Sequence, residues 1–151
     1  MTAPNPDRYF ELLEQRIALL SGLAEALSAA RLDVVSFDIT GLEHCIAEQA
    51  RLCIRIRSVD SELDRVQRRC ATLLSFASPS HGLSNSDIQR FRDIAGRLNA
   101  VQSTVKKLNT THQILLRRSR RTANALLSSY QSFAETYSDP SAARASVGER
   151  A

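Results

Sequence analysis

Leu13, Ile17, Leu20, Ala24, Leu27 and Val34 recur at mixed three- and four-residue steps with polar residues between them. Side chains three and four apart stack on one face of a helix, so this spacing predicts an amphipathic helix. Asn5 can cap the free N–H groups of its first turn, and Pro6 tolerates the first helical position, which places the helix at about 7–36. Phe37-Asp38-Ile39-Thr40-Gly41 interrupts the pattern, and Thr40 with Glu43 three residues on reads as a capping box for a second helix over 40–77. Its seam is regular: Leu42, Cys45, Gln49, Leu52, Ile56, Val59, Leu63, Val66, Cys70, Leu73 and Ala77 alternate steps of three and four. A heptad pattern sustained over about 50 Å of helix implies at least one partner helix and a left-handed supercoil.

The break comes at Ser78-Pro79-Ser80-His81-Gly82-Leu83-Ser84-Asn85, where Pro, Gly and clustered Ser compete with helical hydrogen bonding. Ser86 with Gln89 can cap a third helix, predicted over 86–137. Leu98, Val101, Val105, Leu108, His112, Leu115, Ser119, Thr122 and Leu126 give it the longest register in the chain. Asp139-Pro140 ends it, and the small, polar residues 139–151 are expected to be a disordered tail. The reading is all-α: one domain over 1–138, built of three long antiparallel amphipathic helices in an elongated coiled-coil-like bundle.

Composition agrees. Among 151 residues there are five Gly, four Pro and no Trp, and aromatic residues make up 5%. Few turn formers and few bulky core fillers suit long helices better than a compact mixed fold. Three Cys with no C-x-x-C spacing suggest reduced thiols that pack as small hydrophobes, and hence a cytoplasmic protein. The start, Met1-Thr2-Ala3-Pro4-Asn5-Pro6-Asp7, has no basic and apolar leader, and no apolar run is long enough for membrane insertion.

Candidate chemistry is sparse. His44, His81 and His112 are dispersed, none in an H-E-x-x-H or Glu-x-x-His pattern, and His44 with Glu48 reads as a solvated helical pair. No phosphate loop or nucleophile with a nearby base is found, so neither enzymatic activity, nor a metal site, nor a cofactor is expected. A net charge of +4 keeps acidic partners in view. Arg117-Arg118-Ser119-Arg120-Arg121 could neutralise phosphates, but no aromatic residue stands beside it to stack on bases. Its four arginines also spread over about 160° of the helix, which favours a solvated or acid-facing surface over nucleic acid.

On the same wheel Leu115, Leu116, Ala123, Leu126, Leu127, Tyr130, Phe133, Ala134 and Tyr137 gather into an arc of about 120°. That arc is wider than one coiled-coil seam requires. It divides into Leu115-Leu126-Phe133 and Leu116-Ala123-Leu127-Tyr130-Ala134-Tyr137, one stripe for the chain's own bundle and one for a second protein. Helices of roughly 30, 37 and 50 residues also cannot all be covered along their whole length. Part of the third must project or fold back, and an exposed apolar arc marks an interaction site. A homo-oligomer that buries the arc is the competing reading, making the chain a self-associating coiled-coil structural or adaptor protein.

Leu108-Asn109-x-x-His112-Gln113-x-Leu115-Leu116, followed by a long amphipathic run and Thr136-Tyr137-Ser138-Asp139, resembles the C-terminal pattern of the FlgN-type flagellar export chaperones. Glu14-Gln15-Arg16-x-x-x-Leu20 and Ala47-Glu48-Gln49-x-x-Leu52 are similar to that family as well, and the likeness covers residues 8 to 139. It implies a cytoplasmic type III secretion chaperone, monomeric when free or 1:1 with cargo, that holds the C-terminal helix of hook-filament junction proteins. The cargo-binding residues would be Leu115, Leu116, Ala123, Leu126, Leu127, Tyr130, Phe133 and Ala134, with Tyr137 presented to the export gate. Nucleic acid and membrane have no part in this expectation.

Overall fold

In the computed structural model, residues 6–76 and 85–137 are described, with side chains for 7–69 and 85–134. Three α-helices account for all of them except Phe37 and Asp38: α1 (Pro6–Ser36), α2 (Ile39–Phe76) and α3 (Asn85–Tyr137). The all-α, three-helix reading is therefore correct, and no strand occurs among the described residues. Asn5, the expected first cap, the Ser78–Ser84 break and the expected tail at 139–151 lie outside the described residues. None of the helices, among the described residues, is long and apolar enough to cross a membrane.

The chain divides into two units, Met1–Gln113 and Ile114–Ala151. In the first, α1 and α2 run antiparallel: Arg8 pairs with Glu62, Arg16 with Asp60, and Asp33 with Cys45. The portion of α3 up to Gln113 runs parallel to α1, with Arg90 on Asp7 and Arg97 on Glu14. The core they enclose contains Phe10, Leu12, Leu13, Ile17, Leu19 and Ala26 from α1, Leu52, Val59 and Leu63 from α2, and Ile94 from α3.

The α2 seam follows its heptads. Cys45, Leu52, Val59 and Leu63 are buried, and Leu42, Gln49, Ile56 and Val66 between them are half-buried. In α1 the expected stripe is buried at Leu13, Ile17, Leu20 and Leu27, but Leu12, Leu19, Ala26 and Ala30 are buried as well. A helix touched by two neighbours buries two stripes, and their superposition blurs the single period.

The corner between α1 and α2 corrects the expected cap. Phe37 takes φ 58°, the left-handed conformation that closes a helix, and the Asp38 N–H donates to the Asp33 carbonyl at 2.9 Å. This is the Schellman arrangement, with Phe in the place usually given to Gly. Asp38 then caps α2 itself: its Oδ1 accepts from the Gly41 N–H at 2.9 Å, three residues into the helix. The helix thus begins at Ile39, so Thr40 already lies inside it and the Thr40–Glu43 box is not the cap. A Cβ at Gly41 would come within 2.6 Å of the Asp38 carboxylate, so a side chain there would push on the capping group. Likewise α3 begins at Asn85, one residue ahead of its expected start, which puts Ser86 in the first turn.

Candidate functional site

The side chains that could carry chemistry are held apart or already engaged. His44 is exposed on α2, and Glu48 turns to Arg51 instead, accepting from Nε at 2.9 Å and from a terminal nitrogen at 2.8 Å. That hydrogen bond holds the Glu48 carboxyl below its ordinary range, with the Arg51 and His44 charges adding to it. Cys45 is buried and donates its thiol proton to Asp33 Oδ2 at 3.2 Å. Burial, then that bond, raises its pKa, so the thiol stays protonated and packs as a small hydrophobe. Cys53 is half-buried, and the side chain of Cys70 lies outside the described residues. Among the described residues no cluster of three or more His, Cys, Asp or Glu could hold a metal ion.

One concavity of about 390 Å³ opens in the first unit, lined by Tyr9, Leu13, Leu63, Phe91, Ile94 and Leu98 among others. Arg16 and Asp60 on its wall neutralise each other at 2.7 Å, although the Arg16 Nε–H is not directed at the oxygen. Asp64 and Gln67 complete the polar part of its wall, and the rest of the lining is apolar.

The expected register of α3 holds as a buried seam only in part. Ile94 and His112 are buried, and Leu98, Val101, Val105, Leu108 and Leu115 are half-buried. His112 lies at the end of that buried stretch with its Nδ1 lacking a hydrogen-bond partner, and burial lowers its pKa. The next seam positions, Ser119 and Thr122, are exposed, as is Leu126. Every described side chain from Leu116 to Ala134 is exposed.

The physical reason lies in the residues. On the seam that runs Ile94, Leu98, Val101, Val105, Leu108, His112, Leu115, the following places are Ser119, Thr122, Leu126 and Ser129, and the three hydroxyl residues among them do not continue a core. The apolar character moves to a neighbouring stripe: Leu116, Ala123, Leu127, Tyr130 and Ala134. Its two outer members lie 18 residues apart, which makes the stripe about 27 Å long. In the second unit Leu126, Leu127, Tyr130 and Phe133 are 66%, 60%, 73% and 63% exposed. Ala123 and Ala134 are exposed too, Leu116 only moderately so, and Leu115 is half-buried. Seven of the eight residues expected to bind cargo are thus at the surface on one helical segment. Tyr137 ends α3, and its side chain lies outside the described residues.

Charge supplies a feature that periodicity alone does not. From Ile94 to Ala134 the chain has no Asp or Glu, against five Arg and two Lys. Arg117, Arg118, Arg120 and Arg121 are all exposed and form no ion pair among the described residues. The segment therefore offers an apolar stripe beside a strongly basic flank, with no internal countercharge. Set against protein-family models, curated proteins and solved structures, the chain finds no match in any of the three.

Proposed function

We propose that this chain is an export chaperone of the FlgN type, which clasps an amphipathic helix of its cargo on the second half of α3. The observation that supports it is the exposure of Leu126, Leu127, Tyr130 and Phe133 together on one helical segment. Contiguous apolar side chains of this size mark a surface meant to be covered. Burying four to six of them gives a gross gain on the order of 10 kcal/mol, at about 1.5–3 kcal/mol each. Ordering a flexible partner removes several kcal/mol, which leaves roughly −5 to −8 kcal/mol, binding no tighter than about micromolar. Such strength suits a carrier that must also release its load.

The cargo, by the resemblance of Leu108 to Leu116 and of Thr136 to Asp139, is the C-terminal helix of a hook-filament junction protein. A helix laid in an apolar groove is held by anchors at three- and four-residue spacing, the spacing that Leu116, Ala123, Leu127 and Tyr130 provide. Covering that helix prevents premature polymerisation in the cytoplasm, and Tyr137 at the end of α3 is the residue offered to the export gate. No covalent step is involved.

Co-purification of the chain with junction subunits, carrying or lacking their C-terminal helices, tests the reading. Capture should require the helix, and Leu126→Asp with Phe133→Asp should abolish it while circular dichroism stays unchanged. Capture that survives either the double substitution or the helix deletion removes the proposed site.

A further inference from the structure

Where α3 is covered, two of its arginines are answered by the covering helix. Arg90 reaches Asp7 at 3.2 Å and stacks over the Phe10 ring at 4.6 Å, and Arg97 clamps Glu14 through contacts of 2.7 and 2.8 Å. Both carboxylates belong to α1, the helix that packs beside Ile94 and Leu98. The second half of α3 repeats the basic and apolar half of this arrangement without the acidic half.

The four arginines are not equivalent. Leu116, Arg120, Ala123, Leu127, Tyr130 and Ala134 follow one another at steps of four and three, so Arg120 occupies a place inside the apolar stripe. At 100° per residue it stands about 45° from the stripe's centre, Arg117 about 105°, and Arg121 and Arg118 about 145° and 155°. A helix seated on Leu116, Ala123 and Leu127 therefore covers Arg120 and leaves Arg121 in water. Covering a guanidinium without a countercharge is strongly unfavourable, and a carboxylate placed opposite it offsets much of that cost.

We propose that the bound helix carries one Asp or Glu facing Arg120 within an otherwise apolar seam, and that this pair fixes its register on α3. The inference rests on the helix-clasping reading above. A single polar pair in a heptad core selects one alignment, because every one-heptad slip leaves the charge unmatched. A second copy presenting the same stripe puts no carboxylate in the seam, since Glu135, the one acidic residue of α3 after Asp93, stands about 110° from the stripe's centre. Nucleic acid would draw on Arg117, Arg118, Arg120 and Arg121 without distinguishing the one inside the stripe.

The test is selection of a phage-displayed library of amphipathic helices, about four heptads long with seam and rim positions randomised, against the full chain, R120E and R121E. Both substitutions lie on exposed positions, and circular dichroism verifies their helicity. The wild type and R121E should select Asp or Glu at one fixed seam position, and R120E should select Lys or Arg there. A selected peptide should weaken by about tenfold or more on R120E and recover when its acidic residue is changed to Lys. Apolar helices selected without charge preference, or equal effects of R120E and R121E, overturn the Arg120 pairing and leave the clasp standing. Failure of the wild type to select any helix overturns both. Salt-sensitive binding of a DNA of about 20 nucleotides, weakened equally by R120E and R121E, assigns the arginines to phosphate instead and also overturns the pairing.

Discussion

Ile94 and Leu126 are both aliphatic residues on the same helix and the same heptad register, yet one is 2% exposed and the other 66%. Arg97 and Arg121 differ in the same way: one is clamped by Glu14 at 2.7 Å, and the other has no ion pair among the described residues. The first half of α3 buries Ile94 in a core shared with α1 and has Arg90 and Arg97 paired with carboxylates of α1. The second half carries the same kinds of residues at the surface, turned onto a neighbouring stripe. Amphipathicity therefore states that a helix has a face to cover, and only the facing element decides whether the face serves stability or recognition.

Truncations of the same side chain in the two regions should differ in cost by several kcal/mol. Leu12 is fully buried, so Leu12→Ala should lower unfolding stability by about 2–5 kcal/mol through lost burial and the cavity left behind. Leu126→Ala removes the same atoms from an exposed position and should leave stability within about 0.5 kcal/mol. Urea denaturation followed by circular dichroism measures both. A comparable loss in the two variants would mean that Leu126 is part of a core, and the binding surface would not exist.

A smaller effect is expected at His112, where the buried seam of α3 ends. Its imidazole is 6% exposed, Nδ1 has no hydrogen-bond partner, and burial alone lowers its pKa from the ordinary value of about 6.5. Above that value the ring is neutral in both the folded and the unfolded chain, and stability does not depend on it. As pH falls through about 6.5 the unfolded chain takes up the proton and the folded chain resists it, so stability declines until the folded-state pKa is passed. His112→Leu should abolish the part of the decline between pH 7.5 and pH 5.5, about one unit either side of that value, that the ring contributes. Denaturation midpoints at the two pH values decide it, and equal slopes in both proteins would place His112 in water.

The ease with which each region can be read from sequence follows the same logic. The seam of α2 was legible from Leu42 to Val66 because that helix buries one stripe, and one stripe leaves one period. Leu12, Leu19, Ala26 and Ala30 were missed because α1 buries two, and the second falls among residues that alternate less cleanly. Thr40 and Glu43 carry the residue types of a capping box. The left-handed Phe37, in a place where Gly is the usual signal, moves the cap to Asp38. The apolar arc from Leu115 to Phe133 was visible on a helical wheel, but its exposure was not, since that depends on Ser119, Thr122 and Ser129 closing the older seam. The missing acids between Ile94 and Ala134 were available in the sequence and carry their meaning only beside the paired Arg90 and Arg97.

The finest distinction is between the arginines themselves. Arg97 meets both oxygens of Glu14, a two-pronged contact in which each N–H finds its own acceptor, but both side chains remain open to water. Solvent and salt screen such a pair, and its contribution is small. Arg97→Gln should therefore lower the urea midpoint slightly at low ionic strength and have no effect at about 1 M salt, where the screening length falls to about 3 Å. Arg121→Gln should leave the midpoint of the free protein unchanged at either salt concentration, because no carboxylate among the described residues pairs with it. A salt-sensitive destabilisation by Arg121→Gln equal to that of Arg97→Gln would show the second half of α3 to be electrostatically matched within the free molecule. The basic flank would then be a structural feature, and no acidic partner would be needed to account for it.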